Sequence, residues 1–351
     1  MAAVMFACVL GLAASRRADA SATGDESNGD RRAPSAAITP MPTQPPTTPL
    51  PSETSEELVY EAVFSRILLR GIKVAEFKFT SGRAPATHTN IATTGAINPS
   101  DATTKNDANA AASDGTTDAA NAPATNAAKS AGQGERTADA AAPLLLTADI
   151  VSRGWFRKLF GINFHYHVES TVEPRSFQLL RTSVLDEQGK RVRTREAIFD
   201  RAARRITWTE RDPNDATRPP RVETSPVGGA SVYDIITAIY YLRTQPLAPG
   251  KTFELSVSDS GEVYRVPVKV YAEPKRVKSA LGRFAVVRVE VELFGKDRLV
   301  EDEGRMTLWM TDDARHLPLR AHISNRLGTL DISLKSATQG GARPRTPRNT
   351  Y

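Results

Sequence analysis

From Arg283 to Leu293 polar and apolar side chains alternate: Ala285, Val287, Val289, Val291 and Leu293 fall on one side, and Arg288, Glu290 and Glu292 on the other. A period of two puts successive side chains on opposite faces of a strand, and one apolar with one charged face suits a sheet buried on a single side. The last apolar run repeats the logic, with Leu330, Ile332 and Leu334 against Thr329, Asp331 and Ser333. So does the first, where Leu58, Tyr60, Ala62 and Phe64 alternate with Val59, Glu61, Val63 and Ser65. After Arg70 and Gly71 a second run sets Ala75, Phe77 and Phe79 opposite Val74, Glu76 and Lys78, which predicts a β-hairpin with a short connection containing Gly71. Further candidate strands fill the stretch from Leu144 to Leu334, for a total of about thirteen. The expected fold class is mainly β: a curved antiparallel sheet, either a half-open barrel or a sandwich, with one packed helix.

That helix lies between the strands. Val232, Ile235, Ile236, Ile239 and Tyr240 recur at helical spacing, Ser231 is placed to cap the run, and Pro246 with Pro249-Gly250 stops it. One apolar-faced helix among so many strands must cover the sheet or plug a barrel mouth.

The rest of the chain divides by composition. Residues 1–22 read as a signal peptide, with an apolar run from Ala2 to Ala14 and small residues at Ala18, Ala20 and Ala22. The run is too short to span a bilayer, so the mature chain is expected to carry no transmembrane span and to be exported to the periplasm or cell envelope. Its single cysteine, Cys8, lies inside this run, which leaves a mature chain without thiols or disulfides. Residues 23–55 form a Pro- and Thr-rich linker, and residues 84–142 an Ala-, Thr- and Asn-rich stretch without aromatics, both expected to be disordered. A single β domain is thus expected over 56–337, interrupted by that insertion, with a basic tail at 338–351. Inserting a long segment in a surface loop costs little, because closure entropy grows only logarithmically with length.

From Ser231 onward several features occur together: Tyr240-Tyr241-Leu242-Arg243 at the helix end, Leu247 and Gly250, then Leu281-Gly282-Arg283-Phe284, Trp309-Met310-Thr311-Asp312-Asp313 with Leu317-Pro318, and Gly328. In these the chain resembles an exported bacterial family known as domain of unknown function 3108, and the opening strands with Gly71 also fit. The resemblance implies an envelope-located β domain. It brings no activity, substrate or catalytic residues.

Three groups could carry chemistry or binding. His165, His167 and Glu169 are spaced by two, so a strand presents all three on one face, and imidazole and carboxylate are ligands that zinc accepts. Polar residues on the solvent side of a half-buried strand explain the same spacing more simply. Trp155, Phe156, Leu159 and Phe160, beside Arg157 and Lys158, suit either peripheral membrane contact, as a surface or lid element, or a turn that closes one end of the core. Asp312-Asp313 reads as turn chemistry rather than a catalytic pair. There is no Gly-x-Ser-x-Gly elbow and no phosphate-binding Gly-rich loop, so neither a cofactor nor an enzymatic activity is expected.

The net charge of +6 is spread along the chain, without the basic cluster that would suggest nucleic acid as a partner. The leading expectation is a non-catalytic envelope protein that binds a hydrophobic small molecule, such as a lipid or lipoprotein acyl chain, between sheet and helix. Val232, Ile235, Ile236, Ile239 and Tyr240 would line the site. A carrier of this kind needs an apolar cavity of about 300 Å³ or more. The alternative is a structural or assembly module that binds another envelope protein through a sheet edge, and an uncharacterised enzyme stands third.

Overall fold

The structure, a computed structural model, describes residues 55–67, 69–84, 142–154, 163–174, 176–228 and 231–340. β1 (Glu56–Arg66) and β2 (Leu69–Arg83) form a hairpin, and β3 (Leu144–Ser152), β4 (Phe164–Val172), β5 (Leu179–Gln188), β6 (Arg191–Asp200), β7 (Arg205–Arg211) and β8 (Arg221–Pro226) follow as a meander. The two-residue β9 (Val232–Tyr233) and the helix α1 (Ile235–Arg243) then cross to the far end of the sheet. From there β10 (Thr252–Asp259), β11 (Glu262–Ser279), β12 (Gly282–Val291), β13 (Gly304–Thr311), β14 (Pro318–Asn325) and β15 (Gly328–Gln339) meander back. β15 pairs antiparallel with β1, joining the two meanders into one sheet of 15 strands among the described residues.

The expected antiparallel, mainly β architecture is therefore present, and of its two expected forms the half-open barrel is the one found. The strands form one continuous sheet rather than the two of a sandwich, and β8 and β9 raise their number from about thirteen to 15. Neither addition shows an alternating apolar signal: β8 is largely exposed, and β9 is a short parallel pairing of Val232 and Tyr233 with Ser256 and Val257. The sheet curls without closing, so among the described residues β8 and β9 have no strand on their outer sides. Its ends nevertheless approach. Gly261, at φ +86° in the β10–β11 turn, lies so near β7 that an added Cβ would sit 3.1 Å from the Cβ of Trp208.

The concave side carries the core. Leu58, Tyr60, Ala62 and Phe64 of β1, Leu144, Leu146, Ala148 and Ile150 of β3, and Val287 and Val289 of β12 are all buried there. Gly71 belongs to β2 and not to the hairpin connection, and its amide donates to Ser65 Oγ at 3.1 Å where the pairing shifts register. Across the gap from 85 to 141, β2 and β3 pair directly: Arg83 faces Leu144, and the Ala84 amide donates to the Pro143 carbonyl at 2.8 Å. The expected signal peptide, linker, insertion and basic tail lie outside the described residues, apart from a few at their ends. No helix among the described residues is long and apolar enough to cross a membrane.

Candidate functional site

α1 is tied to the sheet at both ends by buried polar groups. Its N-cap is Asp234 rather than Ser231, because the chain before it is extended and Val232 belongs to β9. Asp234 Oδ1 accepts from the Thr237 amide at 2.8 Å, while Oδ2 accepts from Thr182 Oγ1 of β5 at 2.6 Å and from Ser170 Oγ of β4. One carboxylate thus satisfies a free helix donor and two strand hydroxyls together. At the other end Arg243 forms a forked pair with Glu56 of β1, at 2.6 and 3.1 Å, with the two side chains only 4% and 3% exposed. Burial alone would lower the Arg243 pKa, but the Glu56 carboxylate outweighs it and the pKa is raised. His316 Nδ1 lies 3.0 Å from the Arg243 carbonyl, close to the helix C-terminus.

Held in this way, α1 faces an apolar cleft of about 120 Å³ on the concave side of the sheet. Ile235, Ala238, Ile239, Tyr240 and Leu242 form the helix side, and Leu58, Phe79, Val291, Met306, Leu308 and Ile332 lie among the strand residues opposite. Ile235 and Ile239, one turn apart, are only half-buried, as are Phe79, Val291 and Ile332. Tyr240 is fully buried and its hydroxyl, near that of Ser81, has no hydrogen-bond partner of good geometry. Burial raises the Tyr240 phenol's pKa, so it is a neutral donor at any ordinary pH.

Three of the five helix-region residues expected to bind a ligand, Ile235, Ile239 and Tyr240, therefore line the cleft. Val232 and Ile236 do not. Val232 leaves the helix for β9, and Ile236 is a core residue at 2% exposure. On another side of the helix Tyr241 stacks on Tyr233 with 4.4 Å between ring centroids and lies near Phe177. A helix wrapped by a curved sheet has more than one apolar side, and helical spacing alone cannot say which one meets the void. The volume is also well below the roughly 300 Å³ expected of a carrier enclosing a whole small molecule.

His165, His167 and Glu169 share one face of β4, as their spacing predicts, and it is the outer face of the sheet. The register adds two neighbours that spacing within β4 could not reveal: Asp149 of β3 faces His167, and Glu187 of β5 faces His165. His165 Nδ1 lies 2.8 Å from Glu187 and its Nε2 3.3 Å from Asp149 Oδ2. His167 Nδ1 lies 3.1 Å from that same Asp149 oxygen, and its Nε2 3.3 Å from Glu169. Burial pulls the His165 pKa down, but the two carboxylates outweigh it and the pKa is raised. Asp313 accepts from Thr311 Oγ1 at 2.7 Å and from the Arg315 amide at 3.0 Å, in a turn between β13 and β14. Trp155, Phe156, Leu159 and Phe160 lie outside the described residues.

Comparison with known proteins agrees with the signals from the helix to β15. Residues 132–335 match the family described as "Protein of unknown function (DUF3108)". The chain belongs to this family. The match covers β3 to β15 with α1 and leaves out the opening hairpin, which the sheet nonetheless pairs with β15. Among solved structures the chain is similar to a beta-barrel-like protein of domain of unknown function DUF1849 from Brucella abortus, at 7% identity and a TM-score of 0.45, over 83% of this chain and 99% of that one. No curated protein matches.

Proposed function

We propose that the chain is an exported, non-catalytic protein of the cell envelope whose cleft takes up a slender apolar group, such as the end of a lipid or lipoprotein acyl chain. The observation that carries this reading is the cleft itself. Protein interiors leave few voids larger than a water molecule, whereas this one is of the size that takes up benzene when it is lined by Leu, Ile and Phe. Half-buried Ile235 and Ile239 border it, so an apolar group can reach them from solvent. Its size supports partial insertion rather than enclosure of a whole ligand.

Pairing with a protein through a sheet edge has weaker support. β8 is an edge strand among the described residues, with Val222 56% exposed, but Arg221, Glu223 and the terminal Pro226 are the residues that discourage strand addition.

The test is native mass spectrometry, with lipid extraction, of the full chain produced in a bacterial periplasm. A co-purifying lipid, lost in an Ile239→Asp variant that still shows the wild-type circular dichroism spectrum, is the expected result. A ligand-free mass together with no uptake of added fatty acid would remove the reading.

A further inference from the structure

The outer face of β3, β4 and β5 holds an arrangement that the cleft does not use. A neutral imidazole has one N–H and one lone pair, so it can donate to one carboxylate only. Yet all four ring nitrogens of His165 and His167 face carboxylate oxygens at 2.8–3.3 Å. With both rings neutral, two nitrogen lone pairs would point at anionic oxygens, a mismatch that either a second proton on each ring or a shared cation relieves. A cation resolves this at one place, because His165 Nε2 and His167 Nδ1 converge on a single oxygen, Asp149 Oδ2, at 3.3 and 3.1 Å. The three ligand atoms lie within 4.8 Å of one another.

We propose that Asp149, His165 and His167 bind a divalent transition metal of the kind that accepts imidazole, zinc above all, on the outer face of the sheet. Zinc–nitrogen and zinc–oxygen bonds of about 2.0–2.2 Å in tetrahedral geometry separate neighbouring ligand atoms by about 3.3 Å, close to the two nitrogen-to-oxygen distances here. The remaining nitrogens then carry the protons. His165 Nδ1–H donates to Glu187 and His167 Nε2–H to Glu169, which is how carboxylates orient metal-bound imidazoles. Water would complete the coordination, since the side chains of Asp149, His165 and His167 are about one-third exposed. The site is independent of the cleft, which lies on the opposite face.

The experiment is calorimetric titration of the metal-stripped full chain with zinc chloride at neutral pH. One equivalent should bind, with affinity lowered tenfold or more by His165→Ala, His167→Ala or Asp149→Asn and about tenfold by Glu187→Gln. His322→Ala, on β14, should leave it unchanged. Nitrogen-15 NMR of the wild-type imidazoles supplies a reading that needs no variant. Zinc should fix His165 with its proton on Nδ1 and His167 with its proton on Nε2. Absence of zinc binding, binding unaffected by His165→Ala and His167→Ala, or unchanged imidazole nitrogens on zinc addition would each overturn the proposal.

Discussion

Glu56 and Arg243 lie almost two hundred positions apart in sequence, yet they join β1 to the C-terminal end of α1 as a pair nearly sealed from solvent. A buried pair contributes little relative to an apolar substitute, but removing one partner strands the other charge. Glu56→Gln should therefore lower stability by about 3–5 kcal/mol, read from the denaturant midpoint. At the other end, Asp234→Ala removes the acceptor shared by Thr237, Thr182 and Ser170 and should cost about 1–3 kcal/mol. On the outer face, burial raises the pKa of Asp331, but hydrogen bonds from Arg320 and His322 outweigh it and hold the carboxyl below the usual range. A depressed folded pKa contributes stability above the unfolded value of about 3.9 and loses it as pH falls through the folded one. The stability gap between wild type and Asp331→Asn should thus shrink in chemical denaturation as pH falls from about 5 to about 2. Apart from the local cap between Asp234 and Thr237, these partnerships do not follow from sequence spacing, because each depends on which strands and helix meet. The same holds for Asp149 and Glu187 beside the histidines: the period of two in β4 put His165, His167 and Glu169 on one face, but only the register of β3 and β5 supplied the rest.

At the scale of elements, strands with one clean apolar face were legible and the others were not. β1 and β3 carry buried residues at alternate positions, as their sequences require, whereas β12 buries Val287 and Val289 of the expected face together with Val286 and leaves Ala285 exposed. β8 leaves four of its six residues exposed and buries none, and β11 extends to Ser279 through Pro274 and a charged run in which no apolar face remains visible. α1 was recognisable from its spacing, but its start was not, since Val232 fits the helical pattern while pairing, with Tyr233, to β10. The faces of α1 should separate by mutation: Ile236→Ala in the core is expected to cost about 2–5 kcal/mol, and Ile239→Ala at the cleft roughly 1 kcal/mol. Equal losses in thermal or denaturant unfolding would show that the cleft side is packed like the core. Gly328 opens β15 at φ +145°, where an added Cβ would sit 2.6 Å from the Ser65 carbonyl oxygen of β1. Gly328→Ala should accordingly cost about 2 kcal/mol or more and loosen the junction of the two meanders.

For the molecule as a whole, the long Ala-rich segment is bracketed by strands that pair as though it were an ordinary hairpin loop. Replacing residues 85–141 with a short turn should leave the fold intact. It should stabilise the chain by about 2 kcal/mol in denaturant unfolding, from the smaller loop-closure entropy. The curled single sheet wraps α1 so that one side of the helix joins the core and another borders the cleft, and this division is the central claim. Methyl NMR with a medium-chain fatty acid tests it most directly. The account predicts saturable shifts of the Ile235, Ile239 and Ile332 δ-methyl signals while that of Ile236, one residue along the same helix, stays in place. Unmoved signals, or shifts spread equally to Ile236, would contradict it.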